Sequence, residues 1–376
     1  MMIDSIAMKY KYPVARPDIG QEEKRAVMRV LKSGTLSIGP RTEEFERAFA
    51  RYNGTKYAVA VSSGTTGLHL ALIAAGIGKG DEVITSPFSF VASANVILYV
   101  DAKPVFVDVD HTSYNVDPAK IERAITKKTR AILVVHIFGQ PCDMAAIMRI
   151  ARKHKLIVIE DACESVGAFH RGTMVGTFGA SAVYAFYANK QMTTGEGGML
   201  VTNSKKTYEL CKSLRNQGRA PNMQWLDHDR LGYNYRIDEM SAALGVEQLK
   251  KLPVAIRERQ RIAGWYEKHL VPHATLVRAP QIAPGNTHTF FVYVVKLLGK
   301  TKRDEVIRHL AKKGVATKPY LPSIHLFSFY RKLLGTKHGD FPISEHASDH
   351  TLALPIYKGL TERDVKRIVE CLIQSL

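Results

Sequence analysis

Between Tyr184 and Leu200 the chain reads YAFYANKQMTTGEGGML, which sets Lys190 between an aromatic, strand-like run and a glycine-rich turn. A lysine on a solvated helix face has charged neighbours. This one has aromatic and small residues before it and Gly195, Gly197 and Gly198 after it. Desolvation disfavours an ammonium ion, and glycines let a bulky group approach the main chain. Lysines that form Schiff bases with carbonyl compounds or with pyridoxal phosphate need that setting. On its own the segment is equally readable as a lysine at a strand end.

Pyridoxal phosphate makes four physical demands on a protein. They are a lysine for its aldehyde, a carboxylate to keep the pyridine nitrogen protonated, amides for its phosphate, and an apolar face for its ring. The stretch LIVIEDACE (156–164) offers Asp161 at the carboxyl end of a buried strand, where α/β folds place their sites; a helix cap is the plainer alternative. The stretch VSSGTTGLHL (61–70) is a strand, then small and hydroxyl residues, then an amphipathic helix. It gathers the amides and the positive helix end near Ser63, Gly64 and Thr65. Phe90, in PFSF after another strand, offers the ring face, although core aromatics are commoner. GIGKG (76–80) resembles a nucleotide loop but follows a helix and lacks a hydroxyl residue after its lysine, so it reads as a helix end.

These residues need a scaffold, and the chain's patterning supplies one. Short β-branched runs at 57–61, 82–85, 105–108, 130–138 and 156–159 alternate with amphipathic helices, the signature of a parallel sheet covered on both faces. Pro253 marks a change between a helix at 238–252 and a long basic helix at 254–270. Beyond it the pattern predicts strands at 289–295 and 316–320 and further helices. The reading is a large α/β domain over residues 1–253 and a small α+β domain over 254–376. At 376 residues, two domains are expected. The net charge of +18 is spread over many helix faces, and no nucleic-acid-binding signature accompanies it, so a basic rim for an anionic small molecule is the expectation. Cys142, Cys163, Cys211 and Cys371 form no CxxC pair and no histidine cluster joins them. They read as thiols of a reducing compartment, with no metal site. No apolar run reaches the ~20 residues of a membrane span, and 1–12 lacks a signal core, so a cytoplasmic protein is expected.

Taken in order, SSGTTGLHLAL, GDEVITSPFSFVASANVILYVDAKPVFVDVD, VIEDACESVGA, FYANKQMTTGEGGM and LGYNYRIDEMSAALGVEQL resemble the DegT-type pyridoxal-phosphate-dependent nucleotide-sugar aminotransferases, which include perosamine synthase-like enzymes. GPRTEEFE, KPYLPSIHLF and LALPIYKGLTERDV extend the resemblance from about Arg16 to the C-terminal helices. It implies the aspartate-aminotransferase type of fold: a large domain with a mixed, mostly parallel sheet, a small α+β domain, and a homodimer with shared active sites. It implies Lys190 as the lysine that binds the aldehyde, Asp161 on the pyridine nitrogen, Phe90 on the ring, and Gly64 with Thr65, and more weakly Ser63, around the phosphate. Asn234 would reach the phosphate of the neighbouring subunit, and Tyr320 and His325 would line the sugar pocket. The implied reaction is transfer of an amino group from glutamate to a nucleotide-linked keto-sugar, in amino-sugar and surface-polysaccharide biosynthesis. The cofactor would alternate between its pyridoxal and pyridoxamine forms.

Two positions depart from the family pattern. Many relatives carry a phosphate-binding serine five residues before the lysine, where this chain has Ala185. Many have glutamine or histidine three residues after the aspartate, near the cofactor's phenolic oxygen. Here Glu164 must be protonated or paired, since two anionic oxygens repel. The alternatives are a cyclitol aminotransferase, a sugar dehydratase of the same fold (opposed by Lys190, since that branch has histidine there) and a regulatory or nucleic-acid-binding protein supported only by charge. The loops 223–230 and 319–327 would set the substrate.

Overall fold

The computed structural model describes residues 10–220 and 227–376, so residues 223–226 of the expected substrate loop lie outside the described residues. The first part of the chain supplies β1 (Tyr57–Val61), β2 (Glu82–Thr85), β3 (Lys103–Phe106), β4 (Thr129–Val135) and β5 (Ile157–Asp161). The two-residue strands β6 (Phe169–His170) and β7 (Thr173–Met174) follow, then β8 (Ser181–Ala185) and β9 (Gly198–Thr202). Seven of these form one sheet in the order β1-β9-β8-β5-β4-β2-β3. Neighbours from β8 to β3 run parallel, and β9 is antiparallel to both β8 and β1. The sheet is mixed and mostly parallel, as the sequence pattern implies.

The strands are buried on both faces: Val59, Ile84, Ile132, Leu133, Ile159 and Val183 are fully enclosed. Parallel neighbours require crossovers, which the helices Ala92–Tyr99 (β2 to β3) and Met144–His154 (β4 to β5) provide, while Gly64–Ala74 carries the chain from β1 across to β2. Helix starts are written locally. Ser63, Asp143, Ser204 and Asp238 each accept a first-turn amide. The carboxyl ends of β1, β2, β5 and β8 therefore open on one edge, and the residues after them are Ser63–Thr65, Ser86–Phe90, Cys163–Glu164 and Tyr187–Lys190.

Pro253 does not end a helix. Glu239–Leu270 is one continuous helix that contains it. The proline forfeits the bond to the Leu249 carbonyl, at a cost of about 3 kcal/mol. Burial on both sides outweighs this, at about 1.5–3 kcal/mol per large apolar side chain. Leu249, Leu252 and Ile256 pack in a core with Phe45 and Phe49, and Ile262, Tyr266 and Leu270 pack in another. That second core is built on β10 (Val277–Arg278), β12 (Tyr293–Leu297) and β13 (Thr351–Leu354), while the short β11 (Asn286–Thr287) pairs with β6. Helices Arg303–Lys312 and Glu362–Ile373 cover it, and Tyr12 joins it, bridged to Val315. Residues 316–320, expected as a strand, make only the bridge Lys318–Ala353 beside β13. Among the described residues no helix is long and apolar enough to cross a membrane.

Glu23 fastens the first described helix, Gln21–Ser33, to the long one. Its carboxylate accepts the Gly20 N–H and the Gln248 amide, each at 2.8 Å, and pairs with Lys251 at 2.6 Å. Burial pushes its pKa up, but the bonds from Lys251, Gln248 and Gly20 prevail and hold it at about 2, against an ordinary 4.5. A depressed carboxylate stabilises the fold above its unfolded value and loses that contribution as pH falls from about 4.5 towards 2. Glu23→Ala should cost about 2 kcal/mol in urea unfolding at pH 7. The gap to wild type should close across that acid window.

Candidate active site

β5 ends on Asp161, whose side chain is only 5% exposed. The Ser93 hydroxyl, in the first turn of helix Ala92–Tyr99, donates to Oδ2 at 2.7 Å, and the Cys163 N–H donates to Oδ1 at 3.2 Å. Ser89 stands behind Ser93 at 2.8 Å. Each oxygen has one donor and lone-pair capacity for another, so the carboxylate is fixed yet able to accept a further cationic N–H.

Glu164 is buried three residues on. Its Oε2 accepts the Phe138 N–H at 2.8 Å, and its Oε1 lies 3.6 Å from Lys190 Nζ. Burial pushes its pKa up; Lys190 and the Phe138 amide pull the other way without cancelling the rise. The anion expected to need a partner has one.

Lys190 closes a turn by donating its N–H to the Tyr187 carbonyl at 2.9 Å, and its side chain is 13% exposed. Its Nζ lies 3.9 Å from the centroid of the Phe291 ring, a cation–π contact. Phe291 in turn donates its N–H to the Phe138 carbonyl at 3.0 Å and meets Tyr320 edge-on. Phe138 adopts a left-handed φ of 59°, which lets its two backbone groups serve Glu164 and Phe291 together. Burial keeps the Tyr320 phenol protonated, and its hydroxyl meets the Asn189 side chain. Asn189 Oδ1 is buried without a donor among the described residues.

The helix Gly64–Ala74 begins against this group. Ser63 Oγ accepts the Thr66 N–H at 3.1 Å, while the amides of Gly64 and Thr65 have no acceptor among the described residues. A Cβ on Gly64 would stand 2.7 Å from Cys163 Sγ and 2.8 Å from Ala185 Cβ. The turn therefore touches both the loop after Asp161 and the end of β8. A Cβ on Gly198 would fall 2.5 Å from the Ser63 carbonyl oxygen, so this glycine serves the close approach of β9 to the turn. Ala185 presents a methyl group where the family pattern has a hydroxyl.

Three expected residues lie differently from the cluster. Phe90 follows β2 with its ring 62% exposed, whereas Phe88 is fully buried. Asn234 is exposed on a segment pinned by Tyr233 N–H to the Leu214 carbonyl at 2.6 Å and by Ser62 N–H to the Tyr235 carbonyl at 2.9 Å. His325 is fully buried, and its Nε2–H donates to Glu345 Oε1 at 2.9 Å, with its ring edge-on to Phe341. Glu345 is itself fixed by the Gly339 and Phe341 amides, while His325 Nδ1 is buried without a partner among the described residues. Ser93, Phe138 and Phe291 were not singled out from the sequence. Ser89 and Ser93, four residues apart at a helix start beside a site edge, were a readable signal; Phe291 had none.

The donor set fits pyridoxal phosphate. It offers an anchored carboxylate, unpaired helix-start amides, an enclosed lysine and aromatic walls. The chain matches the DegT/DnrJ/EryC1/StrS aminotransferase family over residues 17–373, and it belongs to that family. It is 41% identical to the GDP-perosamine synthase of Caulobacter vibrioides, covering 96% of this chain and 98% of that one. Among solved structures it is similar to S. venezuelae DesV in complex with a ketimine intermediate, with TM-score 0.89, 34% identity and 94% of each chain covered. It is also similar to the putative sugar aminotransferase Spr1654 of Streptococcus pneumoniae in its PMP form, with TM-score 0.91, 26% identity and 96% and 98% of the two chains covered.

Ser93→Ala removes one charge-assisted bond from Asp161 and should weaken pyridoxal phosphate retention about tenfold. Fluorescence titration of the cofactor-free protein measures it. Asp161→Asn should leave retention less affected than turnover, which should fall by about a thousandfold or more.

Proposed function

We propose that this aminotransferase moves the amino group of glutamate to the ketone of a nucleotide-linked keto-deoxysugar, with pyridoxal phosphate as its cofactor. The observation that carries the reading is Lys190, enclosed between Glu164 and the Phe291 ring beside the doubly held Asp161. The name of the perosamine-synthase relative supports a nucleotide-linked substrate, and the net charge of +18 suits its phosphates. Among the described residues all four cysteines are free thiols, which supports a reducing, cytoplasmic compartment.

When bound, the cofactor supplies an aldehyde carbon for Lys190 and a protonated ring that draws electrons from the carbon being deprotonated. The rest belongs to the chain. Asp161 would hold the ring nitrogen's proton, and the Gly64 and Thr65 amides with the helix dipole would hold the phosphate. Lys190 Nζ takes the proton from the donor's α-carbon and delivers one on the acceptor side. Glutamate leaves as 2-oxoglutarate, and the ketone carbon gains the nitrogen. The Phe291 ring covers Nζ and helps to exclude water from it.

Nucleotide-linked keto-sugars and cyclitol ketones, assayed with glutamate, separate the two acceptor classes. Turnover of a keto-sugar and not of cyclitols is expected; cyclitol turnover alone would replace this reading. Lys190→Ala should abolish transamination while leaving the thermal unfolding temperature near wild type. Within the same reading, the exposed Asn234 serves the phosphate of a second subunit in a homodimer. Asn234→Ala should weaken cofactor retention without changing the mass by light scattering. A monomer that holds cofactor stoichiometrically and turns over would remove the shared site.

A further inference from the structure

We infer that Glu164 takes a proton from Lys190 and returns one when the lysine condenses with an aldehyde, an assignment that rests on the aminotransferase reading above. Lys190 Nζ must be neutral to attack a carbonyl carbon, so a proton has to leave a nearly closed site. Glu164 Oε1 stands 3.6 Å from Nζ, and the Phe291 ring covers Nζ from another side at 3.9 Å. The Phe138 N–H binds Oε2 and aims the other oxygen at the amine.

The other titratable groups around Glu164 do not serve. Asp161 is held by Ser93 and the Cys163 amide. The Tyr320 phenol and the Cys163 thiol are kept protonated by burial, so neither offers a base. Glu164 differs from them in that its Oε1 faces Nζ at 3.6 Å, and burial raises its proton affinity from a carboxylate's low ordinary value.

The step balances. Lys190 passes one proton to Oε1, and its nitrogen adds to the aldehyde carbon. One of the two remaining N–H protons moves to the aldehyde oxygen. Glu164 returns its proton to that oxygen, which leaves as water. The C–O bond breaks as the C=N bond forms, and the nitrogen keeps one proton; nothing is oxidised or reduced. A glutamine at this position accepts a hydrogen bond but not a proton.

The test follows capture of the cofactor, not turnover. Cofactor-free protein is mixed with pyridoxal phosphate and quenched with borohydride at timed intervals, and the Lys190 adduct is measured by mass. Wild type should capture at a rate that changes little between about pH 6.5 and 8.5. Glu164→Gln, which can still accept the Phe138 N–H, should be at least about tenfold slower at pH 7 and should quicken about tenfold per pH unit as hydroxide replaces the carboxylate. Glu164→Asp should restore the flat profile at a lower rate, and Glu164→Ala, which also lacks a proton acceptor, stands in for the glutamine variant if that one does not fold. Capture by Glu164→Gln at the wild-type rate, or slowly with the wild-type pH profile, overturns the relay alone. Absence of any Lys190 adduct in wild type overturns the pyridoxal phosphate reading and the relay with it.

Discussion

Asp161 pairs with Val135 of β4 on one side and Val183 of β8 on the other, and the candidate site depends on that register. Side chains alternate across a strand, so a one-residue slip would turn Asp161 to the opposite face of the sheet. The register is enforced by the strands' apolar faces: Ile159, Leu133 and Val183 fill one core, while Val158, Ile132 and Val134 fill another. The preceding carboxylate shows the same alternation. Glu160 accepts the amides of Gly176, Phe178 and Gly179 and faces His136, so it braces a loop rather than the site. Two adjacent acids thus have different tasks because the pleat sends them apart.

Once Asp161 is placed, the other charges must be accommodated in a dry setting. The structure does this largely with backbone groups, which lose little freedom on being fixed. Phe138 supplies an amide to Glu164 and a carbonyl to Phe291 from a strained left-handed conformation. Arg259 of the long helix, fully enclosed, donates to the carbonyls of Phe290, Phe291 and Ile356, and burial pulls its pKa down to about 10. It secures the segment whose ring covers Lys190. The continuity of helix Glu239–Leu270 through Pro253 is therefore part of the site's support, because Arg259 lies beyond the proline.

Much of this was legible in the chain. The alternation of apolar runs with amphipathic helices gave the sheet, and the strand-to-turn segments located Asp161, Lys190 and Gly64 on one edge. What could not be read depends on partners distant in sequence. Pro253 reads locally as a helix end, and only the two cores on either side of it explain its tolerance. His325 sits in a motif that suggests a pocket, and its partner Glu345, twenty residues on, cannot be read from that motif. Residues 316–320 have strand-like composition yet obtain a single bridge, Lys318 to Ala353, on the edge of β13 opposite β12. Phe291 reaches Lys190 through the fold alone.

Ala185 raises the last physical question, which is how the phosphate is held with one hydroxyl fewer. Ser63 does not make up the difference, because its Oγ already accepts the Thr66 amide and lies 3.3 Å from the Thr66 hydroxyl. Gly64 has no room for a side chain against Cys163 and Ala185. Among the described residues, what the turn still offers is the Gly64 and Thr65 amides, the Thr65 hydroxyl and a helix end worth about half a positive charge, set against a dianion that would lose much of its hydration. On the proposed reading a second copy would add a donor, and Asn234, exposed on a segment held by the Tyr233 and Tyr235 backbone bonds to Leu214 and Ser62, is the residue proposed for it.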